Sequence, residues 1–366
     1  MKRFSGWLLS LAASFIACVS AHAQGTVSIG GEINLAVIRY DTSGPSKPDV
    51  DTIRLDSYTT RLAIKGKEDL GAGVSTDFLL GTGFRADQNA AFKGLCNREC
   101  WIRLKGPYGA VRVGRTLPIY DDISYSWYFI ESPGIHNPLS LWANCGNGAG
   151  LTEGCFDVYQ SGSIRYDSPT VAGFTGSFSY SMPTSELPAR RNGRVYVAGG
   201  TYVNGPLYVG VAHQVDHHIR DGALVDHATT IAASYDGPLY VGGGFEHLVY
   251  QAPLDKRLSR DYVGGIVKFQ EGRQTWWANY GVALSGKGTA PADYSVVAVR
   301  ALPHSGARMW TLGYRYELSR RTYLSVFYNE LANQSNGVYS FDPLLTPYEG
   351  VGGRMSGLAL GFQKRF

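Results

Sequence analysis

The run Ser356-Gly357-Leu358-Ala359-Leu360-Gly361-Phe362-Gln363-Lys364-Arg365-Phe366 constrains the fold more than any other stretch. In an extended strand side chains alternate between faces. Leu358, Leu360, Phe362 and Phe366 then share one side, and Gly357, Ala359, Gly361, Gln363 and Arg365 share the other. An apolar face opposite a small or polar one, ending on an aromatic residue, suits the last seam of a closed membrane barrel, with lipid outside and water inside. The same alternation also suits an edge strand of a soluble sheet. The other end of the chain decides between them.

Lys2 and Arg3, the apolar stretch from Trp7 to Val19 and the small-x-small site Ala21-His22-Ala23 predict a secretory signal over 1–23. The mature chain is then 24–366. Phe15-Ile16-Ala17-Cys18 faintly resembles an acylation site, but cleavage after Ala23 removes Cys18. No later stretch approaches the ~18 apolar residues that a spanning helix needs. An exported chain without such a helix is soluble or a barrel, because only helices and closed sheets satisfy the backbone at membrane depth. The 46 Gly, 24 Tyr and 15 Phe, with only 17% charged residues, favour the barrel. Glycine relieves crowding on a curved wall and aromatics form interfacial girdles. Setting Lys2 and Arg3 aside, basic residues exceed acidic ones by two, which gives no basis for a nucleic-acid partner.

Turn chemistry marks a meander. Tight turns are expected at 68–71, 106–109, 168–169, 204–206, 236–238, 271–272 and 319–321, each rich in Gly, Pro, Asn, Asp, Ser or charged residues. Longer connections are expected near 42–53, 86–97, 117–159, 183–192, 216–225, 251–260, 285–305 and 332–353. Seven short and eight long connections predict about 16 antiparallel strands, an even number as in single-chain bacterial barrels. Within 285–305, the segment Val296 to Ala301 reads equally as strand or loop. Such a barrel encloses water.

Four cysteines lie beyond the signal: Cys96, Cys100, Cys145 and Cys155. Export predicts disulfides, and three pairings are open. Cys96 and Cys100 meet only if the chain turns, because four extended residues span ~13 Å and a disulfide needs Cα atoms ~5.5 Å apart. No metal or cofactor is expected. His136 alone lies near the cysteines, and His213, His217, His218 and His227, with Asp216, form no complete ligand set at a recognisable spacing in their expected external loop. No nucleophile motif or phosphate loop is present, so no enzymatic activity is expected.

Five motifs in order then carry a family resemblance: Thr60-Arg61-Leu62-Ala63-Ile64-Lys65-Gly66-Lys67-Glu68-Asp69-Leu70-Gly71, Val113-Gly114-Arg115, Ser163-Ile164-Arg165-Tyr166-Asp167-Ser168-Pro169, Leu318-Ser319-Arg320-Arg321-Thr322 and the terminal Phe366. The mature chain resembles the Gram-negative general porins of the β-proteobacterial type. That resemblance implies a 16-stranded transmembrane β-barrel, a homotrimer in outer-membrane lipid, and an inward-folded constriction loop, here 117–159. It implies passive passage of small hydrophilic solutes and ions. A transverse field between wall cations and loop acids would filter them. Arg61 and Arg98 match wall arginines of the family, and Glu131 matches its loop glutamate within an altered Ile130-Glu131-Ser132-Pro133-Gly134. A third arginine position falls at Tyr159, and a position often basic falls at Glu32. Lys65 shares the face of Arg61, Arg112 has inward parity, and Asp121 and Asp122 add loop acids. Arg115 has the opposite parity, which suggests a rim or subunit contact. Arg103 and Arg165 are further wall cations. Two alternatives remain: a channel selective for a sugar or organic anion, and a barrel whose loops serve adhesion.

Overall fold

The structure is a computed structural model and describes residues 25–45, 49–57, 60–87, 94–127, 141–144, 154–183, 193–220, 224–341 and 350–366. The expected signal, Glu131 and Cys145 lie outside the described residues.

Period-two patterning gives strands almost throughout. They are β1 (Thr26–Ser43), β2 (Val50–Asp56), β3 (Arg61–Gly71), β4 (Val74–Gly83), β5 (Cys100–Gly106), β6 (Gly109–Thr116), β7 (Gln160–Asp167), β8 (Phe174–Ser181), β9 (Arg194–Asn204) and β10 (Leu207–His217). Then come β11 (Val225–Asp236), β12 (Leu239–Ala252), β13 (Lys256–Glu271), β14 (Gln274–Ala283), β15 (Lys287–Gly288), β16 (Ser295–Val296), β17 (Val299–Arg300), β18 (Ala307–Ser319), β19 (Thr322–Asn333) and β20 (Arg354–Arg365). One short helix, α1 (Ile119–Tyr125), follows β6.

The two halves of β1 pair with β2 and β3, which together make one interrupted stave. β15 extends the wall beside β13. β20 pairs antiparallel with β1 from Glu32↔Arg365 to Ser43↔Arg354, closing the sheet. Among the described residues this gives a closed antiparallel barrel of 16 staves, as the turn count predicts. At the seam, Phe366 and Gly31 exchange two backbone hydrogen bonds of 3.1 Å.

The faces follow the alternation. Ile29, Ile102, Val113, Leu312, Leu360 and Phe362 point outward and are 47–66% exposed, an apolar surface suited to lipid. Among the described residues, no helix is long and apolar enough to cross a membrane, so the crossing is made by strands.

Six of the seven tight turns fall where expected; β3 runs through 68–71, and the first turn lies at 72–73. Gly205 and Gly272 take φ of 55° and 56°, left-handed positions that glycine occupies without a Cβ penalty. The connection expected over 251–260 is instead a tight hairpin. Ala252 pairs with Lys256, and Leu254 and Asp255 accept φ of 62° and 56°. The strands on both sides run on, because their outward and inward rows keep finding partners. Segment 285–305 is a folded loop holding the small β16–β17 hairpin, and the wall resumes at β18. His213 and His227 stand on strands β10 and β11, not in a loop, with ring centroids 5.7 Å apart.

Cys96 and Cys100 are joined, with Cα atoms 5.1 Å apart. The turn between them is made by Cys96 at φ 71°, and both its N–H and that of Arg98 donate to the Gly81 carbonyl. Cys155 is also disulfide-bonded.

Candidate functional site

Loop 117–159 leaves β6 and turns into the barrel. Arg165 fixes its departure by donating to the Leu117 carbonyl at 2.9 Å and pairing with Asp122. α1 then packs against β8 to β11, and the loop reaches on to β12 and β13.

The loop is fastened there by a dry cluster. Trp127 lies between glycines: a Cβ on Gly244 would come within 2.6 Å of its indole, and one on Gly264 within 2.9 Å. Trp142 stands edge-on to Tyr262 at 5.1 Å and lies 5.3 Å from Trp127. Beside them Arg260 and Glu246 form a 3.1 Å ion pair with both side chains wholly buried. Each partner also grips the loop. The Ala143 N–H donates to Glu246 at 2.9 Å, the Tyr120 hydroxyl donates to the same carboxylate, and Arg260 donates to the Leu141 carbonyl. A buried charge pair is costly unless further hydrogen bonds support it, and here the loop supplies three such partners, Ala143, Tyr120 and Leu141. The Tyr250 hydroxyl caps the return limb by donating to the Gly154 carbonyl at 2.6 Å.

The open side of the lumen lies across from this cluster. A cavity of about 800 Å³ is lined by Glu32, Arg61, Lys65, Arg98, Asp121 and Tyr159, among others. Register explains the wall set: Glu32 pairs with Arg61, and Ser28 with Lys65, so all four share the inner face. Glu32 is nearly buried between Arg61, at 2.9 Å, and Arg365, at 3.4 Å, and accepts from the Gln363 amide at 2.9 Å. The cations are more open, Arg61 being 51% exposed.

Two aromatic rings organise the other arginines. Arg98 and Arg115 approach Tyr159 at 5.6 and 5.2 Å. Arg112 and Arg103 approach Trp101 at 4.7 and 5.3 Å. Planar guanidinium groups stack on such faces and keep their edges for other partners. Arg112 reaches Glu99 at 3.6 Å, and Arg103 is held by Asp77 at 2.9 Å. Arg115 donates to the Ser161 hydroxyl at 2.7 Å and to the Arg98 carbonyl at 3.1 Å.

Asp121 is nearly buried at the cavity edge. Burial and the neighbouring Asp157 carboxylate hold its pKa well above the usual carboxylate range. Asp122, half exposed, is neutralised by Arg165. Among the described residues, no group of three or more His, Cys, Asp or Glu is arranged to hold a metal ion.

Of the residues singled out from sequence, Arg61, Lys65, Arg98, Asp121 and Tyr159 line one cavity. Arg112 stands deeper in the wall, against Trp101. Sequence reasoning missed Glu246 and Arg260 as fastenings. Their signal was an inward carboxylate and an inward guanidinium, on neighbouring strands, beside the glycine runs 242–244 and 264–265, opposite a loop full of large rings.

The Gram-negative porin family matches residues 9–336. Outer membrane porin protein 32 of Delftia acidovorans is 29% identical over 327 residues, 87% of this chain and 86% of that one. Major outer membrane protein P.IB of Neisseria meningitidis is 28% identical over 225 residues, 60% of this chain and 61% of that one. Among solved structures, the anion-selective porin from Comamonas acidovorans superposes with a TM-score of 0.71 at 22% identity, covering 94% of this chain and 100% of that one. Closed barrel, inward loop and charged lumen thus meet a family match over most of the sequence: the chain belongs to the Gram-negative porins and forms a channel across the outer membrane.

Proposed function

We propose that the chain, once 1–23 is removed, assembles as a homotrimer of general-diffusion channels that favour small anions. It needs no cofactor and catalyses no reaction. The solute path runs through the cavity beside β1 to β7, with Arg61, Lys65 and Arg98 as the field-setting cations and Arg112 supporting them. Asp121, Asp122 and Glu131 are the loop acids, and Tyr159 is the stacking surface that orients Arg98.

One observation carries the anion preference. Among the described residues, the acids of this cavity are hidden or paired while its cations face water. Glu32 is only 7% exposed against 51% for its partner Arg61. Asp121 is buried, and burial with the Asp157 carboxylate raises its pKa, which disfavours its charged form. An accessible unit charge a few Å from a permeating ion is worth about 1–4 kcal/mol at effective dielectric constants of ~80 to ~20. One cation therefore changes a permeability ratio several-fold. The solved porin from Comamonas acidovorans, which shares this fold, is anion-selective, in keeping with that sign.

The experiment is the reversal potential across a planar bilayer in a salt gradient, repeated with Arg98→Ala. The potential should show anion preference in the parent and move toward zero in the variant. An unchanged potential would remove Arg98 from the constriction. Conductance that saturates with one sugar or organic anion would favour a selective channel instead.

A further inference from the structure

Arg98 lines the lumen cavity with Arg61 and Lys65, yet it is held there in a different way. Arg61 and Lys65 belong to β3, and the ladders to β1 and β4 fix them on the inner face. Arg98 stands outside any strand. Regular pairing of β4 with β5 stops at Leu80↔Cys100, and 94–99 is a turn segment ahead of β5. A residue off the ladder has no register to aim its side chain, and connecting segments are more mobile than the elements they join.

The segment carries substitutes for the missing ladder. Cys96 and Cys100 are joined across a sequence separation of 4. Cys100 is itself anchored, opposite Leu80 on one side and Arg115 on the other. The bond therefore ties the loose end of the segment to a fixed point in the wall, with Asn97, Arg98 and Glu99 between. Within that ring the Arg98 N–H donates to the Gly81 carbonyl at 3.3 Å, and the Arg98 carbonyl accepts from Arg115 at 3.1 Å. The Asn97 side chain accepts from the Gly83 N–H at 2.7 Å and donates to the Gly83 carbonyl at 2.8 Å.

These restraints set the course of the side chain. The stem of Arg98 crosses Gly83, where an added Cβ would meet its Cδ at 3.2 Å, and the guanidinium group reaches the Tyr159 ring. Gly83 stands directly opposite Arg61, so two cations share one stretch of wall. Like charges repel, and an untethered segment would let Arg98 swing away. The acid of the ring is kept apart: Glu99 accepts from the Trp101 indole at 2.9 Å and lies 3.6 Å from Arg112. Stabilisation by a cross-link grows with the length of the loop it closes, and this loop is very short. The bond is placed to fix local geometry rather than to hold the barrel together.

We propose that Cys96 and Cys100 are positioning residues for ion selectivity: their disulfide aims Arg98 into the lumen. The inference rests on the reading of Arg98 as a field-setting cation.

The test is a double-mutant cycle read by the reversal potential in a salt gradient. The four proteins are the parent, Cys96→Ser/Cys100→Ser, Arg98→Ala, and the variant carrying all three changes. Arg98→Ala should move the potential toward zero. The serine pair should move it the same way by a smaller amount, with noisier open-channel current, because the charge remains while its position spreads. In the Arg98→Ala background the serine pair should add nothing. Folding of each variant is read from the heat-modifiable mobility of the barrel on a detergent gel, and Cys96→Ala/Cys100→Ala takes the place of a serine pair that does not fold. If Arg98→Ala moves the potential and loss of the cysteines does not, the positioning role is overturned and the functional reading stands. An equal shift from loss of the cysteines with and without Arg98 would also overturn it, since the bond would then act through Glu99 or through the barrel at large. A silent Arg98→Ala would overturn the functional reading and the inference together.

Discussion

The two sides of the lumen each hold an arginine–glutamate pair, and the pairs do opposite things. Arg260 and Glu246 sit at 3.1 Å with neither side chain exposed. Arg61 and Glu32 sit at 2.9 Å, but half of the arginine faces water. In the first pair both partners also hold loop 117–159, Glu246 through Ala143 and Tyr120 and Arg260 through Leu141, so the charges act as a clamp. In the second the acid is enclosed and the cation is presented to the lumen cavity, where the proposed solute path runs. Burial, not the identity of the partners, separates fastening from filtering. The loop needs the former in order to leave room for the latter.

The comparison breaks most visibly at the clamp. Arg260→Met strands the Glu246 carboxylate in a dry pocket, a loss of about 3–5 kcal/mol for a buried pair deprived of one partner. The expected result is a lower thermal midpoint of the folded barrel, with larger and noisier single-channel conductance as the loop detaches. A variant as heat-resistant and quiet as the parent would mean that the loop is held elsewhere. At the wet pair, Arg61→Gln should behave the other way. Exposed pairs contribute about 0–1 kcal/mol, so stability should scarcely change while the reversal potential moves toward zero. A large fall in thermal midpoint with unaltered selectivity would reverse the roles given to the two pairs.

The smallest effect concerns pH. Burial first, then Asp157, raises the folded-state pKa of Asp121 above its ordinary 3.8. The unfolded chain releases this proton at lower pH than the folded chain does. The contribution to stability is therefore full below the unfolded pKa and is lost as pH rises through the raised one. Hydrogen exchange over 119–125, corrected for intrinsic rate, should show stronger protection in acid than in alkali, and Asp121→Asn should flatten the difference. A parent already flat with pH would refute the assignment.

Much of the wall was legible because each strand repeats one instruction. Leu358, Leu360 and Phe362 against Gly357, Ala359 and Gly361 already specify a wall with lipid on one side. The turn at 253–255 was hidden because Pro253 and Asp255 read equally well in a long loop. Its tightness depends on Leu254 and Asp255 accepting a left-handed backbone, which no pattern of polarity announces. The loop's destination was hidden for a different reason. Arg61 and Lys65 lie close in sequence and betray a shared face, whereas Tyr120 and Glu246 are 126 positions apart and meet only once the sheet has closed. Trp127 needs Gly244 and Gly264 together, and neither glycine is distinguishable in sequence from those that merely relieve the wall.

The seam has a consequence for biogenesis. Glu32 and Gln363 stand 331 positions apart yet hydrogen-bond across the join between β1 and β20. Contacts so distant in the chain are among the slowest to form. Until they do, the first and final staves each present a bare row of amides and carbonyls, which hydrocarbon cannot solvate. A polypeptide cut short before Phe366 would forfeit its end of the zipper and leave its assembly arrested at the bilayer surface. Membrane entry and closure of the β1–β20 seam are in this way the same checkpoint.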